Sequence, residues 1–380
     1  MTLIAATMCT GAWAEPAAVA VDQTALNSGA VTNTEGSIGG GDIDLGAGAS
    51  VSVGSTGAVA STSVSGLNGE GVMPSPAAGF ATVTQDATNN GDVTNGDADV
   101  AAGIDIGTGT LDTGASASIS ASGAVASFGL SATASAGSGL SFTLPDAGVV
   151  QQDALNTGAV SNDGALTAGN LGVAASASIG ATGAVTSFSV KAVSGPVADD
   201  VASVTGSTVG NITQTTSNEG SAANTGVATV ATLDTGASVS ISASGATAAV
   251  SVSSVNADLS AMTLGDISQT SQNGKYGDQP DGSVTNAGSI TVGATLGAGT
   301  SVSVSASGAV ASVSVSNILD VGNSAASTVV GSITQGASNY GSVSNTGSIT
   351  FAAATTIGAG SNAAVSASGA VTSLSFRTVQ

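Results

Sequence analysis

The sequence has no histidine, almost no basic residues and a single cysteine. Its three basic residues, Lys191, Lys275 and Arg377, leave a formal net charge of −21. Binding to nucleic acid or to anionic lipid relies on clustered lysine and arginine, so the sequence excludes both classes of partner. The absence of imidazoles also excludes histidine-based general bases and histidine metal sites.

Large side chains are scarce as well. Aromatic residues make up 2% of the chain, and 55 of its 380 residues are glycine. Alanine, serine, threonine and valine fill little volume, so they predict a thin core between closely packed backbones. The hydrophobic fraction of 42% is too high for a disordered, charged chain.

The N-terminal residues 1–14 are typical of the end of a secretory signal peptide. Their apolar run is too short to span a membrane, and Ala12-Trp13-Ala14 matches a small-x-small cleavage site. Removal of this segment would take Cys9 with it and leave no thiol for a disulfide, a nucleophile or a metal site. We therefore predict a secreted protein, extracellular or at the cell surface. The competing interpretation is an apolar N-terminus without a targeting role.

The dominant feature is one motif repeated six times, in which a glutamine is followed four residues later by an asparagine. The glutamines are Gln23, Gln85, Gln152, Gln214, Gln269 and Gln335, and the asparagines are Asn27, Asn89, Asn156, Asn218, Asn273 and Asn339. The glutamines are 62, 67, 62, 55 and 66 residues apart. We predict one domain over residues 15–380, with units starting near residues 23, 85, 152, 214, 269 and 335.

Each unit has two halves, and both read as strands. The first half follows Q-x3-N-x-G-x-V-x-N-x-G-x-I, where apolar residues alternate with small polar ones and Asn and Gly mark turns. The second half follows G-A-S-V-S-V-S-A-S-G-A-V, and its apolar positions shift by one residue after the internal glycine. Such a shift indicates a bulge or a sharp corner. These corner glycines are Gly57, Gly123, Gly183, Gly245, Gly308 and Gly369.

Units of this kind bury too little surface alone, so we predict an all-β fold, a β-solenoid of stacked layers. Equivalent residues would lie about 4.8 Å apart, and their amides would form hydrogen-bonded ladders along the stack. Turn chemistry is the competing explanation for the asparagines but not for the glutamines. Direct glutamine ladders favour one repeat per layer. The usual coil length of about 20–30 residues favours two or three coils per repeat.

The Gln/Asn/Gly spacing resembles the repeats of curli-type fibre subunits. The N-x-G-x-[VI] runs, such as Asn339 to Val343, are similar to β-helical passengers of filamentous-haemagglutinin-like adhesins and autotransporters. The resemblance covers the first half of each unit, and the repeat here is about three times the curli length. It implies a secreted, β-stacked subunit of an amyloid-like fibre in a biofilm matrix, a sheath or an attachment structure. Its expected partners are further copies of itself and a cell-surface or secretion-channel protein.

Catalytic motifs are not found, so we predict no enzyme, no catalytic residues and no cofactor. Serine has no activating base, and no Gly-rich stretch is followed by Lys-Ser or Lys-Thr. Asp42 and Asp44, with Asp97, Asp99 and Asp105 in the second unit, are similar to calcium-binding turns of solenoids. Units four to six do not keep this pattern, which favours solvated surface aspartates. The alternative functions are a monomeric surface adhesin and an ice-binding solenoid, although the rows carry serine more than threonine.

Overall fold

A computed structural model describes most of the chain. It covers residues 18–34, 36–39, 42–68, 79–96, 103–134, 142–143, 146–194, 204–205, 208–255, 262–275, 277, 282–318, 329–352 and 355–379. Among these residues all regular structure is β-strand, so the predicted all-β class is confirmed. The predicted signal segment 1–14 lies outside the described residues.

The strands fall into six successive layers, one for each repeat. Layer 1 contains β1 Val19–Asn27, β2 Val31–Asn33, β3 Ser37–Gly39 and β4 Ser50–Asn68. Layer 2 contains β5 Phe80–Asn89, β6 Val93–Asn95, β7 Gly103–Asp105, β8 Thr110–Leu111 and β9 Ser116–Ala134. Layer 3 contains β10 Phe142–Thr143, β11 Ala147–Asn156, β12 Ala159–Asn162, β13 Ala165–Leu171 and β14 Ser176–Ser194.

The second half of the chain repeats this order. Layer 4 contains β15 Val204–Thr205, β16 Thr208–Val209, β17 Ile212–Asn218, β18 Ser221–Asn224, β19 Val227–Leu233 and β20 Ser238–Val255. Layer 5 contains β21 Thr263–Leu264, β22 Ile267–Asn273, β23 Ser283–Asn286, β24 Ser289–Leu296 and β25 Ser301–Ile318. Layer 6 contains β26 Val329–Val330, β27 Ile333–Asn339, β28 Ser342–Asn345, β29 Ser348–Phe351, β30 Thr356–Ile357 and β31 Asn362–Val379.

Equivalent strands of successive layers pair in parallel and form four main sheets. The first sheet is built on β1, β5, β11, β17, β22 and β27, and the second on β2, β6, β12, β18, β23 and β28. The third is built on β3, β7, β13, β19, β24 and β29, and the fourth on β4, β9, β14, β20, β25 and β31. The register places each repeat glutamine beside the next one, as in Gln152 beside Gln214. Each repeat therefore forms one layer, and the alternative of two or three coils per repeat does not apply.

Within a layer the chain runs out along one wall and returns along the other. The short strands of the first three sheets form the outgoing wall, and the single strand of the fourth sheet, 18 or 19 residues long, packs across all three of them. A left-handed residue turns the chain between the two walls in every layer. It is glycine in five layers, at Gly48, Gly114, Gly236, Gly299 and Gly360, and Ala174 in the third.

The core is the narrow space between the walls. At one side Ile104 and Leu166 of the third sheet pack against Ile119 and Ile179 of the fourth. At the other side aliphatic residues of the first sheet surround stacked phenylalanines, Phe128 and Phe188, with ring centroids 5.9 Å apart. In the middle, alanines face one another from both walls. Small side chains thus let the two backbones approach closely, as the composition predicted.

The six repeat glycines of the second half lie inside the long fourth-sheet strands. Ala121 and Ala124, on either side of Gly123, are both buried, so the side-chain alternation shifts by one residue there. Strand structure continues through the shift from Ser116 to Ala134. The feature is therefore a bulge within a strand, and the alternative of a corner between strands is wrong. No helix of the described residues is long and apolar enough to cross a membrane.

Candidate functional site: stacked amide columns and the end layers

The six repeat glutamines form one continuous column in the first sheet. Each Nε2 donates to the Oε1 of the glutamine in the preceding layer, at 2.9, 2.9, 2.8, 2.8 and 2.8 Å from Gln85 through Gln335. The four internal members are fully buried. An amide chain of this kind satisfies buried polar groups layer after layer, and it fixes the register of the stack.

Each glutamine also links the two walls through a hydrogen bond. Its Nε2 donates to a backbone carbonyl of the fourth sheet in the same layer, as from Gln85 to Ser127 at 2.7 Å and from Gln214 to Ala249 at 3.0 Å. These carbonyls lie just beyond the bulge. One glutamine amide thus reaches both the neighbouring layer and the facing wall, as Gln85 does with Gln23 and Ser127.

The asparagines four residues later form a second column. Each Nδ2 donates to the Oδ1 of the asparagine in the following layer, at 2.7, 2.7, 2.8, 2.8 and 2.7 Å from Asn27 through Asn273. The other Nδ2 hydrogen closes a local turn, for example from Asn156 to the carbonyl of Gly158 at 2.9 Å. Ladder and turn chemistry, posed as competing explanations, thus operate in the same side chains.

A third column of amides was present in the motif but was not among the predicted ladder residues. It consists of Asn33, Asn95, Asn162, Asn224, Asn286 and Asn345 in the second sheet. Its internal members are buried, and from the third layer onward they donate across to the fourth sheet, as from Asn224 to the carbonyl of Ser242 at 2.8 Å. The recurrence of Asn six residues after the first asparagine, in five of the six repeats, was the available signal.

The bulge glycines lie directly against the first asparagine column. A methyl group at Gly57 would collide with the Asn89 carboxamide and lie 2.7 Å from the carbonyl oxygen of Gly123. The same collision, always with the asparagine of the following layer, recurs at Gly123, Gly183, Gly245 and Gly308. Glycine is therefore required here, because a side chain would prevent the close approach between layers. The bulge thus makes room for the asparagine column.

The last of these glycines differs from the rest. A methyl group at Gly369 would meet only atoms of Asn339 in its own layer, the nearest at 3.5 Å, which is ordinary van der Waals contact. The following-layer asparagine that crowds the other five glycines has no counterpart among the described residues here.

The two end layers also expose side chains whose equivalents are core residues. In layer 6, Val365 is 50% exposed whereas its neighbour Val304 is 0% exposed, and Phe376 is 60% exposed whereas Val315 is 5% exposed. Leu374 and Ile357 follow the same pattern. In layer 1, Ile38 is exposed while Ile104 beneath it is buried. Among the described strands, these end faces combine apolar surface with edges that no further strand pairs.

The aspartates considered for calcium make backbone contacts instead. The Asp42 and Asp44 carboxylates accept hydrogen bonds from the backbone N–H groups of Thr108 and Thr110 in the next layer, at 2.9 and 2.8 Å. The hydrogen bonds from Thr108 lower the pKa of Asp42. Among the described residues no group of three or more acidic or cysteine side chains could hold a metal ion, and Asp97 and Asp99 lie outside those residues.

Lys275, which follows Asn273 in the fifth unit, forms an ion pair with the preceding layer. Lys275 Nζ lies 2.6 Å from the Glu219 carboxylate of the preceding layer, and the lysine side chain is largely exposed. An exposed pair of this kind contributes little to stability.

Comparisons with protein-family models, with curated proteins and with solved structures find no match to this chain. Its function is therefore argued from the geometry of the stack.

Proposed function

We propose that this chain is a secreted structural subunit that stacks end to end into an extracellular fibre. The observation that carries the proposal is that buried amide columns run through all six layers and reach both end faces. Over the described residues, the end layers display side chains equivalent to core residues and strand edges without a neighbouring strand, and such edges are templates for further pairing. The resemblance to curli-type repeats supports the same role, in a matrix, a sheath or an attachment structure.

The proposal assigns a mechanical role to the chain rather than a catalytic one. Each added copy would bury two end faces and extend four parallel sheets at once. The many backbone and amide hydrogen bonds across each junction would then make the fibre resistant to dissociation. The high negative charge would act laterally, keeping neighbouring fibres apart in solution.

The test is assembly of the purified chain in near-physiological salt. We expect negative-stain microscopy to show uniform unbranched filaments and fibre diffraction to show a meridional reflection near 4.8 Å. A chain that stays monomeric by light scattering at high concentration would refute the proposal, and isolated short rods would favour the monomeric adhesin. The export component is tested separately by N-terminal sequencing of the protein outside the cell, with cleavage expected after Ala14.

A further inference from the structure

We infer that the fibre has one polarity, with the layer-1 face of one copy docked on the layer-6 face of the next. We infer also that Gly29 and Gly369 are the residues that admit this junction. The inference rests on the proposed function and deepens it, because it names which faces meet and which atoms pair. The partner is a second copy of this chain.

The first argument is the direction of the amide columns. In the glutamine column the N–H donors point toward layer 1, and in the asparagine column they point toward layer 6. On the layer-1 face, Gln23 therefore offers an N–H and Asn27 a carbonyl oxygen. On the layer-6 face, Gln335 offers a carbonyl oxygen and Asn339 an N–H.

These two faces complement each other at both columns. Gln23 of the incoming copy would donate to Gln335, and Asn339 would donate to Asn27 of the incoming copy. Two layer-1 faces would oppose donor to donor in the glutamine column and acceptor to acceptor in the asparagine column. Two layer-6 faces would oppose acceptor to acceptor in the glutamine column and donor to donor in the asparagine column. Only the mixed junction continues both columns, and only it continues the four sheets in parallel.

The second argument is steric and independent of the amides. Five bulge glycines lie against the asparagine of the following layer, whereas no asparagine of the described residues lies against Gly369 from that side. The opposite face has a matching position. A methyl group at Gly91 would meet the carbonyl of Gly29 in the layer before it, and Gly158, Gly220 and Gly341 repeat this contact. At Gly29 no atom of the described residues would lie within 4 Å of such a methyl group.

In the proposed junction both glycines would gain the neighbour that their equivalents have in the other layers. Asn27 of the incoming copy would lie on Gly369, and Gly29 of the incoming copy would lie on the carbonyl of Gly341. A methyl group at either glycine would then collide with the partner while leaving the single chain undisturbed. Neither glycine has the left-handed φ that would itself disfavour alanine.

The apolar surfaces agree with the same pairing. The column that ends at the exposed Val365 begins at Val53, through Ile119, Ile179, Ile241 and Val304. Docking would place Val53 of the incoming copy over Val365, as each internal layer covers the one before. The exposed Phe376 would be covered likewise.

The experiment compares three single substitutions in the full chain. Gly369→Ala and Gly29→Ala alter the two proposed contact faces. Gly336→Ala is the control, since it lies in layer 6 but points to the side, in a column with Thr270 and Thr215, and its methyl group would be 3.9 Å from the nearest atom. Circular dichroism and thermal unfolding at low concentration check that all three fold like the wild-type chain.

We expect Gly369→Ala and Gly29→Ala each to slow filament elongation at least tenfold, while Gly336→Ala elongates like the wild type. A mixture of the two blocked variants should form dimers and no longer species, because each retains one open face. Elongation of either blocked variant at the wild-type rate would overturn this junction and leave the fibre itself standing. A wild-type chain that never assembles would overturn both proposals.

Discussion

Replacement of Gln214 by methionine should strongly destabilise the folded chain, although the two side chains fill similar space. Gln214 is buried in the fourth of six layers, and its amide makes three hydrogen bonds: to Gln152 Oε1 at 2.8 Å, to the Ala249 carbonyl at 3.0 Å, and from Gln269 Nε2 at 2.8 Å. Methionine fills similar space flexibly but makes none of these bonds.

The expected cost follows from those three bonds. A net contribution of about 1 kcal/mol for each hydrogen bond gives about 3 kcal/mol, and a buried acceptor left unpaired adds to it. Gln152 Oε1 would lose its donor from the following layer, whereas Gln269 would keep its bond to the Ser312 carbonyl. We therefore expect the free energy of unfolding to fall by at least roughly 3 kcal/mol.

Gln335→Met is the matched control. Gln335 makes the equivalent bonds, to Gln269 Oε1 at 2.8 Å and to the Ser373 carbonyl at 3.1 Å, but it lies half-buried in the last layer. Water can replace lost partners at that position, so the cost should stay below about 1 kcal/mol.

The assay is urea denaturation of the monomer followed by circular dichroism, combined with hydrogen exchange to locate the change. Stacked repeats can unfold in parts, so exchange protection in layers 3 to 5 is the more direct measure. Equal losses for the two variants would refute the reasoning, because they would show that burial of the amide column contributes nothing. A loss below about 1 kcal/mol for Gln214→Met would refute it as well.

Three further substitutions test other contacts. Gly183→Ala would bring a methyl group within 2.6 Å of the Gly245 carbonyl oxygen and should cost about 1–3 kcal/mol in thermal unfolding, whereas Gly180→Ala in the same strand should be neutral. Ala174→Gly should stabilise the chain by roughly 1 kcal/mol, because Ala174 holds a left-handed φ of 56°. The pKa of Asp266 is lowered by hydrogen bonds from the next layer, so its contribution to stability is lost as the pH falls below the ordinary Asp pKa. Asp266→Asn should therefore reduce the acid sensitivity of the unfolding midpoint.

Each of these has a clear contrary outcome. Equal unfolding midpoints for the two glycine variants would show that the layers adjust freely at the bulge. A destabilised Ala174→Gly chain would show that backbone strain at the turn is smaller than the entropy that glycine adds to the unfolded state. An unchanged pH profile for Asp266→Asn would show that its hydrogen bond is equally strong with either protonation state.

Much of the architecture could be predicted from the repeat alone. The alternation around Val302 and Val304 identified strands, and the recurrence of Gln and Asn placed equivalent residues beside one another in successive layers. These features are local or periodic, so they are visible without knowledge of the fold. The shift at Gly308 was visible too, but its meaning was not: a bulge and a corner leave the same pattern of apolar residues.

The choice between them depended on contacts distant in sequence. The pairing register, with Gln152 beside Gln214, shows that one repeat closes one layer, and each fourth-sheet strand packs across three short strands of its layer. Only that packing places Gly123 against Asn156, from the next repeat. The burial of the third amide column likewise depends on the facing wall, where the Ser242 carbonyl accepts a hydrogen bond from Asn224.

The sequence by itself thus determined the strand pattern, the number of units and the columns of identical side chains, because these follow from period and composition. The tertiary structure decided the direction of each amide column, the pairing of glycine with asparagine between layers, and the difference between internal and end layers. Those depend on which atoms meet when two walls close over each other. The Gln-to-Asn motif, identical in all six units, is buried in four of them and partly exposed in the two that form the ends.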